Sequence, residues 1–480
     1  MSAFTWRFPF LWRDDVRPPF SRCPLARPAS SVAIFVAATA VCALPAGVWA
    51  QAPSPAAPTF SKEVAPILQR ACERCHRPGS MAPMSLVTYE DVRPWARSVK
   101  QRVVQREMPP WHIDRTVGIQ QFKDDPSLTD EEIDTIAAWV DAGAPRGNPA
   151  DMPPPVAWDT ADRFSFEPDV IVQLRDDITL ADFGSDRWLN VPLEDPGLAE
   201  NRYIQMAEIK PLKGVAVVHH ANAMARRVAG AGEIGPGEGS PHIVEYAVGK
   251  AGERYPEGSG KLLPAGSQLV MNLHLHPIGE ETQVNVALGL KLYPKGYQPD
   301  NVQFSRVFPF PSQMEQDDID IRPGDPNART DSYHYVEQPM RITAFQPHLH
   351  NRGKRQCLEA IYPPAPSPTW PDSQGGPYRV RPELLNCADF QFNWHLQYTY
   401  EDGVQPLIPA GTVLHLISWH DNSAANKGNP DPTAWVGFGQ RSIDEMALMW
   451  LEYNYLTDTQ YEAAVLARQS QPRTASENQP

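Results

Sequence analysis

The sequence predicts a multidomain chain: a small all-α domain followed by a long all-β region of one sandwich or a pair. Three observations predict it. Proline is abundant, 51 of 480 residues, and proline breaks long helices. The chain carries 13 Trp, 15 Tyr and 17 Phe, far more aromatic character than disordered chains have. Beyond residue 160, helical periodicity gives way to β-branched runs punctuated by Gly, Pro, Asn and Asp, the texture of short strands and turns. The length suggests two to four domains. A formal charge of −14 with no basic stripe excludes a nucleic-acid partner.

The elements follow in order. Arg22 and Arg27 precede the apolar residues 32–44, and Pro45 and Gly47 come before Val48, Trp49 and Ala50. That is the order of a secretory signal peptide over residues 1–50, and it predicts a periplasmic or otherwise exported protein. An uncleaved N-terminal anchor is the alternative, because residues 30–50 are nearly long enough to span a membrane. No other stretch approaches ~20 apolar residues, so no stable membrane insertion of the mature chain is expected. Residues 51–59 read as a linker and 60–150 as the helical domain. Within it, Thr129 and Glu132 form a capping box ahead of Ile133, Ile136, Ala137 and Val140, and Gly143 ends the helix. The β region divides into 160–300 and 301–460 at the turn-rich residues 293–301, and 461–480 read as a polar tail.

Cys72, Cys75 and His76 form C-x-x-C-H, the pattern of covalent c-type haem attachment. Two thiols one helical turn apart reach the two vinyl groups, and the adjacent imidazole becomes the proximal axial ligand. Met108, held by Pro109 and Pro110, is the best distal ligand, with Met81, Met84 and His112 as competitors. Ligation by Met and His raises the haem potential and suits electron transfer. Residues 60–145 resemble a single-haem class I cytochrome c, and a closing helix with Trp139 and Gly143 fits that family.

Histidines cluster in the β region as His219-His220, His274 with His276, and His348 with His350. In a strand, residues i and i+2 share a face about 6.5–7 Å apart, so His348 and His350 can converge with Leu349 turned to the core and Gln346 on their side. His219 and His220 would point oppositely in a regular strand and can meet one ion only at a bulge or a strand end. Imidazole together with thioether suits copper. The order of motifs is His219-His220, the turn Pro264-Ala265-Gly266-Ser267-Gln268 leading to His274, then His348-x-His350-x-x-Gly353-Lys354, then Asp444-Glu445-Met446. It resembles the copper type II, ascorbate-dependent monooxygenases, which include the peptidylglycine hydroxylating and dopamine β-monooxygenases, over about residues 200–460.

That resemblance implies two tandem jelly-roll-like sandwiches with one copper in each, facing a solvent-filled cleft. It makes His219, His220 and His274 ligands of an electron-supplying copper, and His348, His350 and Met446 those of an oxygen-activating, catalytic copper. Met449 is the fallback for Met446. His276 has no counterpart and is expected beside the site or at the surface. Gln346, Leu448 and Trp450 stand where the amidating enzyme clamps a peptide carboxylate, which argues against a glycine-extended peptide and for an apolar or aromatic substrate. The family's half-cystine after the Met is Ala447 here. Cys357 and Cys387, the remaining mature cysteines, are expected to pair in an oxidising compartment. His112, His242, His334, His395, His415 and His420 read as packing or surface residues.

Joined, these resemblances imply an exported oxidoreductase with one covalent haem c and two coppers. It would hydroxylate an activated C–H bond of a small organic substrate with O2, using electrons passed from an external donor through the haem. Two alternatives remain: a non-catalytic periplasmic electron-transfer or copper-binding protein, and a sandwich whose histidines pack without metal.

Overall fold

The computed structural model describes residues 57–470 except 79, 81, 158–163, 227–241, 248–249, 251, 309–318, 364–380 and 440. The expected signal peptide, residues 51–56 of the linker, the candidate ligand Met81 and the last ten residues of the tail lie outside the described residues. From Ala57 onward the chain is one compact unit. It is mostly β-sheet with few helices. Among the described residues, no helix is long and apolar enough to cross a membrane.

The helices lie mainly at residues 60–141. The π-helical turn Phe60–Val64 runs into the helix Ala65–Ala71, and Ala96–Val104 and Asp130–Asp141 pack around Phe60, Leu68, Ile136 and Trp139. The last helix starts where its sequence says it should. The Thr129 hydroxyl accepts from the Glu132 amide at 3.2 Å and the Glu132 carboxylate accepts from the Thr129 amide at 2.9 Å, which satisfies two otherwise orphaned donors.

The helical segment does not stay by itself. Residues 109–125 leave it and cross to the second half of the β region, where Trp111, Ile113 and Phe122 enter the core around Phe345, Tyr398 and Tyr400. Backbone bonds pin this excursion: Asp114 N–H donates to the Cys387 carbonyl at 2.9 Å, Ile119 to Leu385 at 3.0 Å and Lys123 to Thr399 at 2.8 Å. The strand Arg381–Asp389 that receives two of these bonds ends its sheet, and an uncovered edge would leave a row of unpaired amides and carbonyls. Large apolar side chains and an open edge thus answer each other.

One eleven-stranded sheet forms the backbone of the molecule. Its main spatial order is Val170–Gln173, Thr282–Leu292, Arg202–Lys213, Ser259–Leu263, Asn301–Phe308, Leu448–Tyr455, Met340–His348, Tyr398–Thr399. A four-stranded sheet of Arg187–Pro192, Gln268–Leu275, Val218–Arg226 and His242–Ala247 covers its first half over a core rich in Leu, Ile and Val. A second, of Ala328–Tyr335, Val413–His420, Gly353–Tyr362 and Arg381–Asp389, covers the other half over an aromatic core. Cys357 and Cys387 face each other across the last two of these strands and form a disulfide. Residues 461–470 belong to the helix Asp458–Ser470.

The two halves join where Ser259–Leu263 and Asn301–Phe308 run parallel. Beside that join lies a buried polar network. Lys261, 1% exposed, contacts Glu452 at 3.2 Å and Glu253 at 3.5 Å, and donates to the Ile243 carbonyl at 2.7 Å. Lys250 contacts Glu253 at 2.7 Å and Glu245 at 3.8 Å. His242 bonds Asn222 at 3.0 Å and Ser305 at 2.9 Å.

This network has a pH consequence. Burial, then Lys261, holds the His242 imidazole down to about 3, against an ordinary 6.5. The unfolded chain therefore takes up a proton there first, and stability falls as pH drops from 6.5 toward 3. Burial pushes the Glu245 carboxyl up to about 7 from 4.5, which instead costs stability as pH rises from 4.5 to 7. The two trends oppose each other between pH 4.5 and 6.5. Below that window the imidazole acts in the same direction as the Glu253 carboxyl, which, against burial, Lys250 and Lys261 hold down to about 2. Between pH 4.5 and 3.5, His242→Asn is expected to lose ~1.4 kcal/mol less stability than the wild type, measured by urea unfolding. Parallel losses in the two proteins would rule this assignment out.

Candidate metal centre

The strand Val218–Arg226 starts after a tight turn at Gly214, whose φ of +69° suits glycine and whose Cβ would meet the Gln283 carbonyl oxygen at 2.9 Å. Its pairing with Gln268–Leu275 slips between Val218 and His220. This irregularity lets adjacent His219 and His220 turn to the same side, with His274 directly opposite His220. Among the described residues, these three are the group of His, Cys, Asp or Glu whose ligand atoms all lie within 4.8 Å of one another.

Nδ1 of His220 lies 3.2 Å from Nδ1 of His219 and 3.3 Å from Nδ1 of His274. Three nitrogens each ~2.0–2.1 Å from one tetrahedral ion would stand about 3.3 Å apart. Nε2 of His274 contacts the Asp186 carboxylate at 2.7 Å. A carboxylate on the far nitrogen fixes the ring and leaves the near nitrogen free to ligate. His276, exposed, binds the other oxygen of Asp186 at 2.7 Å, so it braces that carboxylate. Trp188 stacks on His274 with centroids 3.9 Å apart. Burial, then His274, lowers His219 to about 4, and burial depresses His220 well below its ordinary value. Neutral imidazole is the form that binds metal.

The second cluster lies where Met340–His348 ends. His348 closes the strand and His350 sits in the turn beyond, with ring centroids 5.6 Å apart. Leu349 between them is fully buried in a separate core. Gly353 is needed because a Cβ there would collide with Leu349 and Phe390. The buried Glu445 carboxylate accepts from the backbone amides of His350 at 2.9 Å and Arg352 at 2.7 Å. It thereby staples the histidine turn to the Asp444-Glu445-Met446 segment. Nδ1 of His350 lies 3.1 Å from the Asp444 carbonyl, which orients the ring. Met446 is 7% exposed in the same corner, and its carbonyl accepts from Nε2 of His420 at 3.1 Å. Met449 is in the sandwich core with Phe308 and Leu451, turned away from the histidines.

The positions expected to line an apolar substrate site do not form one among the described residues. Leu448 is buried, and Trp450 packs on His242 with centroids 4.8 Å apart. Trp450, Gln346 and Glu245 border a void of only about 10 Å³, room for at most one water. Bulky neighbours from the other half of the sheet fill that space, and no local pattern could have shown them.

His395, expected as a packing or surface residue, is packed, and no signal in the sequence placed it beside both histidine clusters. It is 7% exposed, in the connection after Arg381–Asp389. Its ring lies 6.0 Å from His219, 5.6 Å from His220 and 5.6 Å from His348. Phe390 and Phe392 pack on it at 6.0 and 5.9 Å. A lone histidine carries no spacing signal, and only the surrounding aromatics hinted at a buried loop. Asp186 was missed for the same reason.

The C-x-x-C-H turn follows the helix Ala65–Ala71. Nδ1 of His76 lies 3.2 Å from the Met84 carbonyl, which leaves Nε2 as the free ligand atom. The Met84 side chain packs on the helical core. Cys75 borders a cleft of about 740 Å³ together with Pro109, Pro110 and Trp111, a volume in the cofactor range of about 300–1,000 Å³. The loop carrying Met108 therefore faces the C-x-x-C turn across that cleft. His112 is outside the cleft lining, with its backbone tied to Asp389 and Tyr398. The far wall of the cleft comes from the β region, including Lys250, Glu253, Thr399 and Glu452. Cys72 and Cys75 are free thiols and Cys75 borders the cleft, a donor set that would suit a covalently attached haem.

No family model matches the chain. No curated protein matches it either. Among solved structures, it is similar to the N-terminal tandem CBM22 domains of Paenibacillus barcinonensis Xyn10C. That match has 9% identity over 56% of this chain and 82% of the other, with a TM-score of 0.15. A second similarity is to the infectious bursal disease virus Gx strain structure, with 8% identity over 65% and 81% of the two chains and a TM-score of 0.15. At that score neither likeness carries an argument about this chain.

Proposed function

We propose that the protein is an exported haem c- and copper-dependent oxidoreductase that hydroxylates an activated C–H bond with O2. In this reading, residues 60–150 are a class I cytochrome c domain, and the β region is a pair of jelly-roll-like copper monooxygenase sandwiches. The observation that carries it is the gathering of two buried imidazole clusters from different sheets, one of them with three nitrogens at metal-ligand spacing. Bound copper would supply one-electron chemistry and an O2 site, and bound haem would supply electron transfer.

The chain's own residues do the rest. His219, His220 and His274 hold the first copper, with Asp186 fixing the His274 ring. His348, His350 and Met446 hold the second, with Glu445 fixing the turn. Cys72 and Cys75 would tether the haem, and His76 and Met108 would supply its ligand side chains. Trp111 lines the haem cleft and packs on Tyr398 at 4.8 Å, which packs on Phe345 at 5.2 Å. That aromatic path leads toward His348 on the same strand as Phe345.

The test is His350→Ala. Copper is expected to fall from two to one per chain, with haem content unchanged and substrate-dependent O2 uptake lost. Unchanged uptake would overturn the proposal. A wild type that binds copper and haem but consumes no O2 with any reductant and organic donor would favour the non-catalytic electron-transfer reading.

A further inference from the structure

Six histidines gather around the sandwich seam, and the ring of His395 stands beside both clusters. We propose that the two copper positions are neighbours joined through the buried ring of His395, forming one electronically connected pair. This rests on the copper reading above.

The geometry is specific. Two imidazoles on one ion, with metal–nitrogen bonds of ~2.0–2.1 Å, place their ring centres about 5–5.5 Å apart. Within the first cluster the centroids are 4.9, 4.9 and 5.5 Å apart, as that rule requires. His395 stands 5.6 Å from His220 in the first cluster and 5.6 Å from His348 in the second. One ring is therefore in packing contact with a ligand candidate of each copper. The rings of His220 and His348 can be separated by no more than twice that distance. Phe390 and Phe392 pack on His395, which is buried.

His395 also points back to the haem. Three residues further along, Tyr398 packs on Trp111 at the cleft that Cys75 borders. A single short segment thus touches both copper positions and the haem side. With both coppers bound, His395 would lie on the path of the one electron that must pass from the position of His219, His220 and His274 to that of His348, His350 and Met446. The external donor restores the first copper through the haem.

The experiment uses the full chain loaded with copper and haem. In the oxidised wild type, with two coppers per chain, the copper EPR signal is expected to show dipolar broadening. That broadening should vanish in His350→Ala, which holds one copper. His395→Phe keeps a packed ring and His395→Gln keeps a hydrogen-bonding group, and both are expected to retain two coppers and the haem. In each variant, electron equilibration between the coppers after addition of one reducing equivalent should slow at least tenfold, followed by rapid-freeze EPR. Two unbroadened signals in the wild type, or unchanged equilibration in both variants, would overturn this inference and leave the copper reading standing. A wild type that takes up no copper would overturn both.

Discussion

Alanine at both Cys72 and Cys75 is expected to abolish covalently held haem. The haem stain on a denaturing gel should disappear while two coppers per chain remain. The argument rests on the state of the two thiols as much as on their spacing. Burial pushes the Cys72 thiol up to about 12 and raises Cys75 as well. A redox dithiol or a reactive cysteine needs the opposite, a thiol whose acidity is increased by its surroundings. Thiols kept protonated, with Cys75 bordering a cleft of about 740 Å³, suit addition to a cofactor's vinyl groups rather than disulfide exchange. Haem stain retained in the double variant would remove the attachment role, and with it the route by which electrons are proposed to enter.

Lys261→Met is expected to destabilise the protein by ~3–5 kcal/mol, read from urea unfolding. Lys261 is 1% exposed and contacts the carboxylates of both Glu253 and Glu452. Removing the cation leaves buried negative charge without its partner, the costly way to break such a pair. The further change Glu452→Gln removes one of those charges and can still bond Gln303, which now donates to Glu452 at 3.1 Å. The double variant should therefore recover about half of the loss. A single-variant loss below ~1 kcal/mol, the range of exposed pairs, would show that the network is solvated in solution.

What the sequence made legible was local. Thr129 and Glu132 announced their helix start because a capping box needs only four residues. The adjacency of His219 and His220 called for an irregular strand, and the pairing slips between Val218 and His220. Alternation turned Leu349 away from its two histidine neighbours, and it is fully buried. What was not legible depends on contacts distant in sequence. Asp186 reaches His274 across 88 positions. Residues 109–125 were read as part of the helical domain, yet they complete the edge of a strand more than 250 residues later. His395 has only aromatic neighbours in its own segment, so the folded arrangement of two separate strands is what brings it beside other histidines.

The continuous sheet also bears on how such a chain could be taken apart or recombined. A protein of beads on a string can be cut at a linker, and each bead keeps its shape. Here a cut in residues 293–300 would leave Ser259–Leu263 and Asn301–Phe308 each with a raw edge, and unpaired edges recruit other chains. It would also strand Lys261 in one piece and Glu452 in the other. The halves are therefore not exchangeable parts, and an engineer seeking a new substrate range must rework loops on an intact frame rather than trade modules.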